Sequence, residues 1–142
     1  MNPPFLIGPF APGFCVPPGD LAALGTNRYI YNLLFENDML FTPACGFVDV
    51  RDVAIGLVKS LNTTGRHRII FGGEWFTLEE ALIFIAKSTK RNRNQLAFTR
   101  EIDPKRFHLD NSKAAHILGL TPRPWRETIQ ETVAYLLKLE KS

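Results

Sequence analysis

The chain has 142 residues, the size of one ordinary domain. It is 45% hydrophobic and 22% charged, which supports a packed core and excludes a disordered segment. A net charge of +3, with a pI of about 9.0, does not mark a nucleic-acid protein without a clustered basic face; an anionic ligand such as a phosphorylated cofactor explains the bias equally well.

The first nineteen residues carry no charged side chain. Pro3, Pro4, Pro9, Pro12, Pro17 and Pro18 forbid a continuous helix there, and no basic region precedes the apolar part. Neither a membrane span nor a signal peptide fits, so a soluble chain is expected. Cys15 and Cys45 lack metal-ligand spacing, and a disulfide framework is not expected at this size. Together these point to a reducing, cytoplasmic setting.

Phe5, Leu6 and Ile7 form a short strand that Gly8-Pro9 ends. Pro3 and Pro4 suit its start or an edge, and suit a proline-rich arm as well. Residues 11–25 are loop. Thr26-Asn27 offers a cap to a helix with an apolar stripe at Ile30, Leu33 and Leu34, running to about Glu36. Met39, Leu40 and Phe41 in the next connection fit a core and a substrate pocket alike.

At Phe47–Leu61 a strand runs straight into a helix. Asp49 stands at the N-cap, and Asp52 follows in the capping-box position. Val50, Val53, Ala54, Leu57, Val58 and Leu61 make one face of an amphipathic helix, with Arg51, Lys59 and Ser60 pointing elsewhere. After a turn at 62–66, Arg68–Phe71 reads as a short buried strand ended by Gly72-Gly73. The spacing of those glycines fits no phosphate-binding loop.

Thr77-Leu78-Glu79-Glu80 is a capping box for a helix filled by the apolar residues 81–86. Lys87, Lys90, Arg91 and Arg93 read as its solvated end, and no aromatic platform is interleaved to bind a nucleic acid. Residues 106–109 allow a short strand. Asp110-Asn111 then caps a helix, Ser112–Leu118, that Gly119 stops. The last helix begins near Pro124-Trp125, with a stripe at Trp125, Ile129, Val133, Leu136 and Leu137.

Three ordered motifs carry a resemblance. They are F-V-D-V-R-D-V-A at 47–54; Asn2, Pro3, Gly8 and Pro9 in N-P-x-x-x-x-G-P; and Asp110, Ser112, Lys113, Ala114, Leu118, Gly119 and Pro122 in D-N-S-K-A…L-G-L-x-P. The chain resembles the C-terminal, substrate-binding half of the extended short-chain dehydrogenases/reductases, in the NAD-dependent epimerase/dehydratase superfamily. Its likeness is greatest to the ketone and aldehyde reductases that include dihydroflavonol-reductase-like and fungal methylglyoxal-reductase-like enzymes. The match runs from Asn2 to about Leu139.

The resemblance implies an α+β fold as isolated, mostly helical with a few short strands. In the family this is the C-terminal part of a doubly wound α/β Rossmann-type fold. Residues 1–142 would be one domain, with the dinucleotide-binding half absent. Phe5–Ile7 would lie between the strand at 68–71 and a strand of that missing half. The cofactor implied is NADP. Pro3, Pro4 and Phe5 would lie beside its nicotinamide, and Thr26 and Asn27 would touch it. Residues 11–46 would form the lid, with Phe14, Tyr31 and Phe41 facing a small carbonyl substrate.

The family's chemistry uses a Tyr-x-x-x-Lys pair and a glycine-rich pyrophosphate turn. Tyr29, Tyr31 and Tyr135 have no lysine four residues on, and no such turn occurs. His67, His108 and His116 lack the spacing of metal ligands or of a triad. No catalytic or metal residue is therefore expected. The expected function is the substrate-binding portion of an NAD(P)H-dependent carbonyl reductase, inactive alone. A non-catalytic interaction module is the alternative, and a cofactor-independent enzyme using the lid pocket is a third. Self-association or docking on a full-length relative would follow from the exposed sheet edge; a nucleic acid or a membrane is not an expected partner.

Overall fold

The computed structural model describes residues 1–17, 19–35, 46–65, 67–89 and 109–140. Its elements are β1 (Phe5–Ile7), a 3-10 segment (Leu21–Asn27), α1 (Arg28–Phe35), β2 (Phe47–Asp49), α2 (Val50–Ser60), α3 (Leu78–Thr89), α4 (Ser112–Leu118) and α5 (Trp125–Leu139). The fold is mostly helical around a small parallel sheet, as the sequence predicts.

The two strands pair in parallel, with Phe5 opposite Phe47, Leu6 opposite Val48 and Ile7 opposite Asp49. Alternation along each strand sends neighbouring side chains to opposite faces. Ile7 and Phe47 enter a cluster with Leu24, Ile30 and Leu33, Leu82 and Ile85 of α3, and Ile129 and Leu136 of α5. Leu6 and Val48 enter a second cluster with Val53, Ile69, Phe71, Ala114 and Leu118. The sheet thus divides the core into two layers. Stacked rings run through the first: Phe47 on Phe76 at 5.2 Å and Phe76 on Trp125 at 4.7 Å, with Phe84 edge-on to Trp125.

The neighbour of β1 differs from expectation. Its partner is Phe47–Asp49, whereas the segment at 68–71 meets the chain at Asn2 through a single bridge to Ile70. Pro3 and Pro4 explain the change, because neither can donate to a ladder that would carry the pairing onward into β1. Ile69 and Phe71 are buried and Ile70 is exposed, so the segment keeps the alternation of a strand without a strand's length.

Three of the expected caps fall where the sequence places them. Thr77 and Glu80 exchange reciprocal hydrogen bonds at the head of α3. Gly119 (φ +57°) closes α4 in the left-handed conformation that favours glycine, with its N–H on the Ala115 carbonyl. Asp49 caps α2 by accepting from the Arg51 N–H at 2.8 Å. Asp52 forms no capping box: its carboxylate accepts from the Arg123 N–H and Nε at 2.8 and 2.7 Å, which ties α2 to the turn before α5.

The face that α2 buries is also corrected. Asp52, Val53 and Gly56 turn inward, while Leu57, Val58 and Leu61 are 52%, 65% and 82% exposed. Gly56 lies where a Cβ would come within 2.8 Å of Leu120 Cδ1, so the close approach of α2 to the second cluster needs a glycine there. The helix periodicity holds, but its apolar stripe faces outward.

Asp49 joins three elements. Besides the cap, it accepts from Arg51 Nε and Nη2 at 2.9 and 2.7 Å and from the Thr128 hydroxyl of α5 at 2.9 Å. Burial pushes its carboxyl up, but the hydrogen bonds from Arg51 and Thr128 and the Arg51 charge outweigh burial and hold it below the usual range. Losing a cap costs about 1 kcal/mol, and losing the buried bond to Thr128 about as much again. Asp49→Ala is therefore expected to destabilise the chain by about 2 kcal/mol in denaturant melts. A lowered carboxylate pKa stabilises above the unfolded value of about 3.9, and this contribution is lost as pH falls through the folded one. Below about pH 4 the thermal midpoint of Asp49→Asn should accordingly vary less with pH than that of the wild type.

Candidate functional site

A cavity of about 600 Å³ opens where the end of β1, the 3-10 segment and the head of α2 meet. Its walls are mainly apolar: Leu6, Ile7 and Phe10, then Leu24 across from them, then Val50 and Ala54 of α2. Ligand pockets of this size and character are common in enzymes of small molecules.

Three local features build it. Gly8 ends β1 at φ +146°, a conformation open to glycine, and a Cβ there would meet Val50 Cγ1 at 2.8 Å. Asn27 then clasps Gly8 from across the cavity: its Oδ1 accepts from the Gly8 N–H at 3.0 Å, and its Nδ2 donates to the Gly8 carbonyl at 2.8 Å. The Thr26 hydroxyl donates to the Leu6 carbonyl. A kink at Gly25 (φ 55°, ψ −133°) turns the two side chains toward β1.

Thr26 and Asn27 thus line the cavity, but their polar atoms serve the strand. Asp20 caps the 3-10 segment, while the Thr26 and Asn27 side chains, expected to cap the helix that follows, bond to β1 and Gly8 instead. Phe14, half exposed, stacks on Phe10 at 4.8 Å and so extends one lip of the cavity. Pro3, Pro4 and Phe5 do not line it; the Phe5 ring packs on Tyr29 and Phe47 at 5.7 and 6.0 Å. Tyr31 also lies elsewhere, its hydroxyl donating to Glu140 at 2.5 Å. Phe41, Met39, Leu40, Cys45 and the basic residues at 90–93 fall outside the described residues.

Gly8, Phe10, Val50, Arg51 and Ala54 also line the cavity, beyond the residues the sequence marks as site candidates. The signal was present in the glycine directly after a strand and in a helix head rich in small apolar residues. Arg51 reaches the cavity rim with its charge engaged: Asp49 and Glu131 both bind its guanidinium. Among the described residues no group of three or more His, Cys, Asp or Glu could hold a metal ion. No helix among them is long and apolar enough to cross a membrane.

No protein-family model matches the chain. An uncharacterized oxidoreductase of Schizosaccharomyces pombe is 28% identical over 144 residues, spanning 98% of this chain and 41% of that relative. The NADPH complex of Gre2 from Candida albicans superposes with a TM-score of 0.77 and 20% identity, over 97% of this chain and 43% of that one. The NADPH complex of yeast Gre2, a methylglyoxal/isovaleraldehyde reductase, superposes at 0.72 with 23% identity, over 99% and 46%. The chain has the fold of the C-terminal half of the extended short-chain dehydrogenases/reductases. It spans less than half the length of each of these relatives.

Among the described residues that line the cavity, the Thr26 and Asn27 side chains are engaged by β1 and Arg51 by two carboxylates, so these three are not free to hold a pyrophosphate. What the cavity offers is an apolar wall shaped by the Asn27 clasp. Asn27→Ala removes both hydrogen bonds and leaves the buried Gly8 amide unpaired, at a cost of about 2–3 kcal/mol. Its chemical denaturation midpoint should fall accordingly, and amide hydrogen exchange at Leu6–Gly8 should accelerate relative to that in α5.

Proposed function

We propose that the chain is the substrate-binding portion of an NAD(P)H-dependent reductase of small ketones or aldehydes. Residues 1–142 form one domain of that enzyme. The observation that carries this reading is the extent of the match: 97–99% of the chain aligns with two NADPH-bound Gre2 structures. The apolar cavity supports it, because a wall of Leu6, Ile7, Phe10 and Val50 suits the hydrocarbon part of a carbonyl compound. The Phe10–Phe14 stack is the part of the lip that contacts substrate. Pro3, Pro4 and Phe5 are the backbone wall beside the nicotinamide, and NADP is the cofactor.

The bound cofactor supplies the hydride. This chain's residues position the substrate's apolar part and keep water from it. The proton donor and the pyrophosphate cradle come from the dinucleotide-binding part, since no Tyr-x-x-x-Lys pair or glycine-rich turn occurs in these 142 residues.

Two measurements test the reading. The 142-residue chain alone should give no substrate-dependent loss of NADPH absorbance. A chimera joining the part of the S. pombe oxidoreductase that precedes its matched region to Met1 should reduce methylglyoxal or isovaleraldehyde with NADPH. In it, Phe10→Ala should raise KM several-fold with little change in kcat, as expected when uniform binding is lost. A folded chimera that binds NADPH and reduces no carbonyl compound would overturn the proposal, as would turnover by the chain alone.

A further inference from the structure

Helix α2 is arranged in reverse of an ordinary surface helix. Its charged side chains are engaged by the protein: Asp52 binds Arg123, Arg51 binds Asp49 and Glu131, and the exposed Lys59 donates to the Gly119 carbonyl at 3.1 Å. Its apolar residues face solvent, with Ile55, Leu57, Val58 and Leu61 between 45% and 82% exposed. At 100° per residue, Val50, Ala54, Leu57, Val58 and Leu61 fall within about a quarter-turn of one another. No charged residue interrupts them. A solvent-facing stripe of this kind marks a docking surface.

Two observations say what docks there. Val50 and Ala54 belong both to this stripe and to the cavity wall, so whatever covers α2 also closes over the cavity mouth. And the chain aligns nearly end to end with Gre2 while filling 43–46% of it, so more than half of each of those chains lies outside the match and is the candidate to cover this face. We infer that the outward face of α2 docks the dinucleotide-binding part of the reductase fold, on the same polypeptide or a separate one. The inference rests on the reductase reading and names the surface that completes the site. A second copy of this chain would also cover the stripe, but it would set cavity against cavity and bring no cofactor to either.

The test is co-expression of the untagged 142-residue chain with a tagged part of the S. pombe oxidoreductase, the part that precedes its matched region. A one-to-one complex is expected on size exclusion with light scattering. Leu57→Asp/Val58→Asp should weaken it at least tenfold, while Ala134→Asp on the exposed side of α5 should leave it unchanged. Circular dichroism checks that each variant folds. A complex indifferent to the α2 double variant overturns the inference, as does a folded chain that forms no complex. A homodimer of the chain alone that the same double variant dissolves also overturns it, because a second copy is then the occupant. A complex made through α2 that reduces no carbonyl compound would keep the docking surface and remove the reductase reading. Turnover in a complex made elsewhere would do the opposite.

Discussion

The fold depends on one buried carboxylate. Asp49 is the last residue of β2 and the N-cap of α2, so it stands where the chain changes direction. Position 49 points to the same face as Phe47, toward α5, where the Thr128 hydroxyl meets it. Arg51 binds Asp49 from the side and carries the link on to Glu131, also on α5. An asparagine could keep the cap, but it could not accept from four donors and offset the guanidinium charge. The result is that the sheet, the helix of one layer and the helix of the other are oriented by a single group. The Asp52–Arg123 pair repeats the device one turn later, anchoring α2 to the residues that lead into α5.

A second constraint comes from how small the sheet is. Two strands of three residues leave backbone groups unpaired at their ends, and buried ones must find partners. The chain solves this twice in the same way. Asn27 brackets the N–H and carbonyl of Gly8, and Asn111 brackets those of Gly72 at 2.9 and 2.7 Å. An asparagine amide offers a donor and an acceptor with the spacing of a backbone peptide, so each acts as one rung of a missing strand. Each sits just before a helix, and each is thereby withdrawn from capping that helix. The first clasp also shapes the cavity, which is why the residues that line it present so few polar atoms.

Much of this was legible in the sequence. The capping box of α3, the limits of α4 and the buried stripe of α5 follow from local rules that tertiary packing did not override. Asp49 was legible as a cap because N-cap chemistry is local, whereas its bonds to Thr128 join residues 79 positions apart. The roles of Thr26, Asn27 and Asn111 were not legible for the same reason. A Ser, Thr or Asn ahead of a helix reads as a cap until the fold brings a glycine backbone within reach. Tyr31 and Phe14 divide on similar grounds: the one is claimed by Glu140, the other by a ring four residues before it. The first contact is distant and unreadable, the second local.

Helix α2 shows where periodicity stops being informative. A period of 3.6 says that one face of a helix is apolar; it does not say which neighbour that face is for. Here the inward face is made of Asp52, Val53 and Gly56, of which only Val53 brings an apolar side chain to the core. The other two can be inward because the contact is close and polar: Gly56 admits Met1 and Leu120, and Asp52 has Arg123 waiting. The outward face has the composition of a core without the contacts of one. Full burial of a Leu or Val side chain contributes on the order of 1.5–3 kcal/mol, and Leu57, Val58 and Leu61, at 52%, 65% and 82% exposure, realise only part of it. Amphipathicity in a sequence therefore locates the apolar face of a helix, and the packing around it decides whether that face is buried, as in α5, or open to solvent, as in α2.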